Sequence, residues 1–148
     1  LMCWTQIFFG QLFVGLYLGI LSGALLQTVL LYLSGIVVAY FVGVSCLALL
    51  GRNVGQYNLV EFHGYMYAHP MLGNVFFIAC LAMMVFPITP SFLGQEMLLS
   101  SVHTNHIAEI VVVAFGYVFS GICVMRLFAK VFFGPHTKTY HEIAYRSS

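Results

Sequence analysis

The sequence predicts an all-α membrane protein, because it is apolar almost throughout, nearly free of charge, and divided into stretches long enough to cross a bilayer as helices. Of its 148 residues, 61% are hydrophobic and 6% are charged. The mean hydropathy of +0.99 is far above that of soluble domains. Residues 1–51 contain no Asp, Glu, Lys, Arg or His, which is room for two helices of about 20 residues each.

Four apolar stretches can be separated along the chain, and each is expected to form a transmembrane helix. Gly and polar residues divide the first stretch from the second, a loop rich in Asn, Gly and charge follows the second, and a His-Thr-Asn-His sequence precedes the fourth. Such clusters are typical of connections rather than spans. The predicted spans are residues 2–21, 24–50, 71–100 and 108–133, with a polar tail at 134–148.

The third stretch is interrupted by the sequence Phe86-Pro87-Ile88-Thr89-Pro90. Each proline lacks an amide donor and clashes with the preceding helical turn. We therefore expect a broken or strongly distorted segment bounded by Pro87 and Pro90, with Thr89 inside it. Non-helical backbone at membrane depth must be buried in protein or line a wet cavity, so the break requires neighbours.

The positive charges indicate an orientation and exclude one class of partner. With four spans alternating in direction, every Lys and Arg falls on one side of the membrane, and the positive-inside rule places that side and the N-terminus in the cytoplasm or matrix. The net charge is a separate point: at +1, it provides no basic surface for nucleic acid. The basic residues are Arg52, Arg126, Lys130, Lys138 and Arg146; snorkelling towards the interface accounts for Arg126 and Lys130.

Small residues recur at four-residue spacing in the first two predicted helices, at Gly15, Gly19 and Gly23 and at Gly35, Ala39 and Gly43. Such stripes let helix backbones approach closely. An isolated four-helix chain offers few such contacts, so we expect partner subunits within the lipid bilayer.

No cofactor is expected in this chain. The cysteines, Cys3, Cys46, Cys80 and Cys123, stand singly in apolar sequence, a pattern typical of packed thiols rather than of zinc or iron–sulfur sites. His103 and His106 are three residues apart, but axial haem ligands in helical bundles lie mid-span on different helices. Since these two histidines lie in a connection, an interfacial or proton-relay role is favoured over metal ligation.

Glu96 is the only carboxylate deep within an apolar stretch. An ionised carboxylate in that setting is costly unless it finds a cation or water, or becomes protonated, and both outcomes suit proton transfer. Alternatively, a straight helix from Met71 would bring Glu96 about 37 Å along its axis, near the opposite interface. The residue types alone leave both interpretations open.

Two segments resemble the antiporter-type membrane subunits of NADH:quinone oxidoreductase. Residues 83–99, MMVFPITPSFLGQEMLL, are similar to a Pro-Gly-Thr-x-x-Phe-x-x-Glu pattern that follows an apolar run in those subunits. Residues 126–135, RLFAKVFFGP, resemble the end of their next span. Related chains occur in cation/proton antiporters, membrane-bound hydrogenases and inorganic-carbon uptake complexes.

The resemblance implies a proton-translocating subunit. In that family about fourteen spans form two inverted five-helix repeats, each with one broken helix, an arrangement suited to alternating ion access. The four spans here would match the end of the second repeat, with Glu96 at its acidic position. This chain would be a fragment or one piece of a split subunit, and quinone, flavin and iron–sulfur clusters would belong to partner subunits in a bacterial cytoplasmic or mitochondrial inner membrane.

Two departures from the family pattern leave other functions open. Ser34 stands where the family usually has a Lys or His, and a serine can join a hydrogen-bonded relay but cannot hold a proton as a charge carrier. The sequence Pro-Ile-Thr-Pro-Ser also lacks the family's central glycine. The alternatives are a structural or partly degenerate antiporter-like subunit of another membrane complex and a haem- or quinone-binding electron carrier.

Overall fold

The computed structural model describes residues 1–23, 25–54, 62–102 and 106–134, and all regular secondary structure in these ranges is helical. Three of the five helices are long and apolar enough to cross a membrane: α1, α2 and α5. The prediction of an all-α membrane protein is confirmed at this level. The helices are α1 (Met2–Ser22), α2 (Leu26–Val54), α3 (Pro70–Met83), α4 (Pro90–Ser100) and α5 (Ile107–Phe132).

The helix bounds follow the prediction closely at α1 and α5 and differ at α2. Gly23 ends α1 in a left-handed conformation (φ 57°), and its N–H donates to the Ile20 carbonyl at 3.4 Å. Glycine adopts this conformation without steric cost, which explains the stop. α2 continues to Val54, past the predicted end at residue 50, because Arg52 favours a helix and can extend from its last turn into water.

α2 is the centre of the bundle and packs against α1, α3 and α4. On α1, Gly15 faces the Tyr32 ring and Gly19 faces Val29, while Gly43 on α2 faces the Trp4 indole. Gly15 and Gly19 of the first predicted stripe and Gly43 of the second therefore join α1 to α2, whereas Gly35 packs against Ser91 of α4. Gly23 is the exception, because it has no neighbour within 4 Å and serves as the cap.

One end of the bundle collects the described basic residues. Trp4, near the start of α1, lies against Gly43 of α2, and α2 ends about three turns later with Arg52 in its last turn. The His63 N–H donates to the Lys130 carbonyl at 3.2 Å, and the Met66 N–H donates to the Phe132 carbonyl at 3.0 Å.

The start of α1, the end of α2 and the end of α5 therefore share one end, which we call the basic end, defined by Arg52, Arg126 and Lys130. An aromatic cluster closes it, with Trp4 and Phe132 at 5.1 and 5.4 Å from the Phe76 ring centroid. These three charges therefore lie at one end of the bundle, and the membrane side on which that end lies stays a prediction. Lys138 and Arg146, like nearly all of the predicted tail, lie outside the described residues.

Candidate functional site

The third predicted span is two helices, since α3 ends at Met83 and α4 begins at Pro90. The predicted break is confirmed, although it begins at Met84, one turn before Pro87. Val85 adopts a left-handed backbone conformation, with φ 57°, which is unusual for a β-branched residue and turns the chain out of the helix. Pro90 occupies the first turn of α4, where its missing N–H costs no intrahelical hydrogen bond.

Hydroxyl groups bond to carbonyls on both sides of the break. Thr89 Oγ1 donates to the Phe86 carbonyl at 2.7 Å, and Ser91 Oγ donates to the Ala82 carbonyl at 3.1 Å. Ser91 is fully buried, at 0% exposure. The ends of α3 and α4 are thus held in a fixed relation by side chains that the sequence places immediately beside the prolines.

The break is buried against α2 through two glycines. A Cβ on Gly35 would collide with the Ser91 backbone, and a Cβ on Gly94 would collide with the backbone of Tyr32. α4 therefore approaches α2 more closely than any side chain at these positions would permit. The irregular backbone has the protein neighbours that a bilayer would demand of it.

Glu96 lies on the outward face of α4, where it is exposed. Ser91 faces Gly35 and Gly94 faces Tyr32, so α4 runs antiparallel to α2. Two residues beyond Gly94, the Glu96 backbone lies about 6 Å inside the Leu26 end of α2, at 1.5 Å per residue. Within the described residues its carboxylate has no hydrogen bond or ion pair.

The other predicted relay residues are not joined to Glu96. Ser34 is exposed and its Oγ donates to the Leu31 carbonyl of its own helix at 2.9 Å. It lines a cavity of about 210 Å³ that also touches Pro90. His106 Nδ1 lies 3.2 Å from Glu109 Oε1 at the start of α5, and His103 lies outside the described residues.

The described residues contain no group of three or more His, Cys, Asp or Glu side chains able to hold a metal ion. Cys46 and Cys80 are buried thiols, as predicted. Cys3 and Cys123 are exposed, so for these two the expectation of packed thiols is wrong in this structure. Both line a groove between α1 and α5, where no side chain covers them among the described residues.

A polar network that the sequence analysis did not predict joins α1, α2 and α5. Gln11 Nε2 donates to Ser120 Oγ at 2.8 Å. The Tyr32 hydroxyl donates to Gln11 Oε1 at 2.9 Å, and the Tyr117 hydroxyl donates to the Tyr32 hydroxyl at 3.2 Å. Gln11 and Tyr32 are buried, so the amide and the phenol satisfy each other away from solvent.

The network lies at mid-height in the bundle. Gln11 is the tenth of 21 residues in α1, and Ser120 is the fourteenth of 26 in α5. Polar side chains at this height in a span require partners, because hydrocarbon supplies none. The available signal was a glutamine at the middle of the first predicted span, Gln11. Its partners could not be predicted, because they depend on how distant helices meet.

A groove of about 810 Å³ extends between α1 and α5 from the network towards the basic end. Its lining is mainly apolar, but it includes both exposed cysteines and two of the basic residues. We call this the α1/α5 groove; its polar and thiol-bearing lining consists of Cys3, Gln6, Gln11, Tyr117, Ser120, Cys123, Arg126 and Lys130.

Comparisons with protein-family models, with curated proteins and with solved structures found no match. The likeness to antiporter-type subunits therefore rests on the sequence motifs alone. What the break, the network and the groove can do follows from their residues and geometry.

Proposed function

We propose that this chain is a proton-translocating membrane subunit, or a piece of one, in a complex of the NADH:quinone oxidoreductase type. Electron transfer in partner subunits would supply the energy, and this chain would supply part of the proton path. The observation that supports the proposal most is the mid-height network of Gln11, Tyr32, Tyr117 and Ser120 at the inner end of the α1/α5 groove. Antiporter-like motifs around the broken helix give independent support.

In this proposal, water in the α1/α5 groove brings a proton from the basic end to mid-height. Hydroxyl groups both donate and accept hydrogen bonds, so Ser120 and Tyr117 can orient that water without holding a charge themselves. An amide such as Gln11 fixes the orientation of its neighbours and does not take up the proton. The network therefore positions water, and a titratable group is needed beyond it.

Glu96 is the titratable group that we assign to the far half of the path. Tyr32 connects the two halves, because its hydroxyl belongs to the network while its backbone touches Gly94 on α4, two residues before Glu96. A carboxylate near the opposite end of the bundle can receive a proton from inside and release it to the other side. Partner subunits and water would stabilise the negative charge of Glu96, which has no hydrogen bond or ion pair among the described residues.

The decisive test compares Glu96→Gln with Glu109→Gln in the assembled complex. Both substitutions remove one carboxylate and keep the side-chain shape, but Glu109 lies at the start of α5 beside His106. We expect proton translocation per electron transferred to fall in the Glu96 variant while assembly and electron transfer persist, and to be maintained in the Glu109 variant. Equal translocation in the Glu96 variant and the unmodified complex would refute the proposal.

A second candidate, a structural subunit that keeps the antiporter-like shape without pumping, is favoured by one observation. Ser34 occupies the position of the family's titratable residue, and its hydroxyl bonds to its own helix rather than to a neighbouring relay group. For a structural subunit, Glu96→Gln would leave both assembly and proton translocation unchanged, so the same measurement separates the two candidates.

A further inference from the structure

The α1/α5 groove has a chemical asymmetry that proton access does not require. At the basic end it is lined by an exposed guanidinium, an exposed amide and a half-buried ammonium, from Arg126, Gln6 and Lys130. No Asp or Glu is among the described residues that line it. This combination of hydrogen-bond donors and positive charge is complementary to an anion.

Of these donors, Lys130 starts at the depth of lipid headgroups, and the long side chain of Arg126 can reach it from about one turn deeper. At 1.5 Å per residue, Arg126 lies about 10 Å and Lys130 about 16 Å from the midpoint of α5, and Gln6 lies about 9 Å from the midpoint of α1. The hydrocarbon core extends about 15 Å from the bilayer centre. Long basic side chains at this depth extend towards the interface, where phosphate groups lie.

The remainder of the groove suits an acyl chain. Its volume of about 810 Å³ falls within the range of about 300–1,000 Å³ typical of small-ligand sites. Ile7, Val14 and Phe119 provide apolar lining. Gly10 and Gly116, on opposite walls, have open space where a side chain would project.

We propose that the α1/α5 groove binds an anionic phospholipid of the leaflet at the basic end. Arg126 and Gln6 would hold the phosphate by hydrogen bonds, and Lys130 would add positive potential while remaining 4.1 Å from the Phe62 ring centroid. One acyl chain would lie against the apolar lining of Ile7, Val14 and Phe119, which leaves the polar network to the water of the proposed proton path. Pockets with basic residues between helices at the cytoplasmic side favour such headgroups. A partner helix bearing a carboxylate is the competing occupant; the reach of the Arg126 and Lys130 side chains to the headgroup level favours the lipid.

The test uses the full chain, purified from its native membranes with its accompanying subunits and placed in nanodiscs. Two probes are compared, phosphatidylglycerol and phosphatidylcholine, each carrying a photoactivatable diazirine on one acyl chain. After illumination, mass spectrometry locates the cross-links along the chain. We expect the phosphatidylglycerol probe to label α1 near Gly10 and α5 near Phe119 about five-fold more than the phosphatidylcholine probe, the factor expected for one basic contact near the surface.

Arg126→Gln should reduce labelling by phosphatidylglycerol to the level of phosphatidylcholine, whereas Arg52→Gln, which removes a basic residue outside the groove, should leave the preference intact. Inorganic phosphate at millimolar concentration should not abolish the preference; if it does, the site takes free phosphate and the lipid proposal is wrong. Equal labelling by both probes in the unmodified complex also overturns it, and so does an absence of labelling by either, which would indicate a partner helix.

Discussion

The contact between α2 and α4 and the groove between α1 and α5 use the same kinds of residue with opposite results. At the α2/α4 contact, the backbones of Ser91 and Tyr32 occupy the space beside Gly35 and Gly94. In the α1/α5 groove, Gly10 and Gly116 face open space. A glycine in an apolar span is therefore not by itself evidence of packing. The α2/α4 contact holds the broken helix in place, whereas the α1/α5 groove leaves space beside its glycines.

The largest expected effect comes from adding one methyl group to each region. Gly35→Ala places a Cβ against the Ser91 backbone, which must shift, at a cost of about 1–3 kcal/mol in stability. Gly116→Ala adds the same group where nothing lies within 4 Å and should be neutral or stabilising by up to about 1 kcal/mol. Thermal unfolding of the two purified variants measures the difference. Equal melting temperatures would show that the α2/α4 contact is not tight.

Removing one hydroxyl from the network should have the next largest effect. Tyr32→Phe leaves Gln11 Oε1 and the Tyr117 hydroxyl without their shared partner, and interhelical hydrogen bonds in membranes contribute about 0.6–2 kcal/mol. Tyr17→Phe is the matched control, because Tyr17 is 46% exposed on α1. Denaturant titration should separate the variants, and by our proposal proton translocation should fall only for Tyr32→Phe. Indistinguishable unfolding curves would count against a network that links the helices.

A smaller effect is expected at the break. Ser91→Ala removes the buried hydroxyl that donates to the Ala82 carbonyl, a loss of about 1 kcal/mol, since that carbonyl still accepts the Val85 N–H. Ser100→Ala, whose exposed hydroxyl bonds within its own helix, should change stability by less than about 0.5 kcal/mol. The melting temperatures of the two variants, from thermal shift measurements, give the difference in stability. A loss of stability at Ser100 as large as that at Ser91 would mean that burial at the break is unimportant.

The last prediction compares the groove with the buried packing of α2 against α3, and it uses no substitution. N-ethylmaleimide should modify Cys3 and Cys123, which line the groove, and leave Cys46 and Cys80 unmodified, because both are buried. Intact-mass measurement followed by peptide mapping gives the extent at each thiol. Modification of Cys46 or Cys80 in the native chain would show that the packing of α2 against α3 opens, whereas protection of Cys3 and Cys123 in the complex would show that the groove is covered.

The sequence predicted what depends on local covalent constraints and left out what depends on distant contacts. Pro87 and Pro90 interrupt a helix wherever they occur, and apolar length fixed α1, α2 and α5 within a few residues. Gln11 and Ser120, by contrast, are 109 residues apart along the chain, and only the packing of α1 against α5 brings them together. The exposure of Glu96 was equally inaccessible, because it depends on which face of α4 meets α2.

The division of the third span into α3 and α4 also changes the electrostatics of the bundle. An uninterrupted helix has its terminal partial charges at the two membrane surfaces, where water screens them. Here the carbonyl end of α3, at Met83, and the amide end of α4, at Pro90, bring about half a negative and half a positive charge into the interior. Within a bilayer these opposed dipole ends produce a fixed local field, which favours positive charge beside the end of α3 and negative charge beside the start of α4.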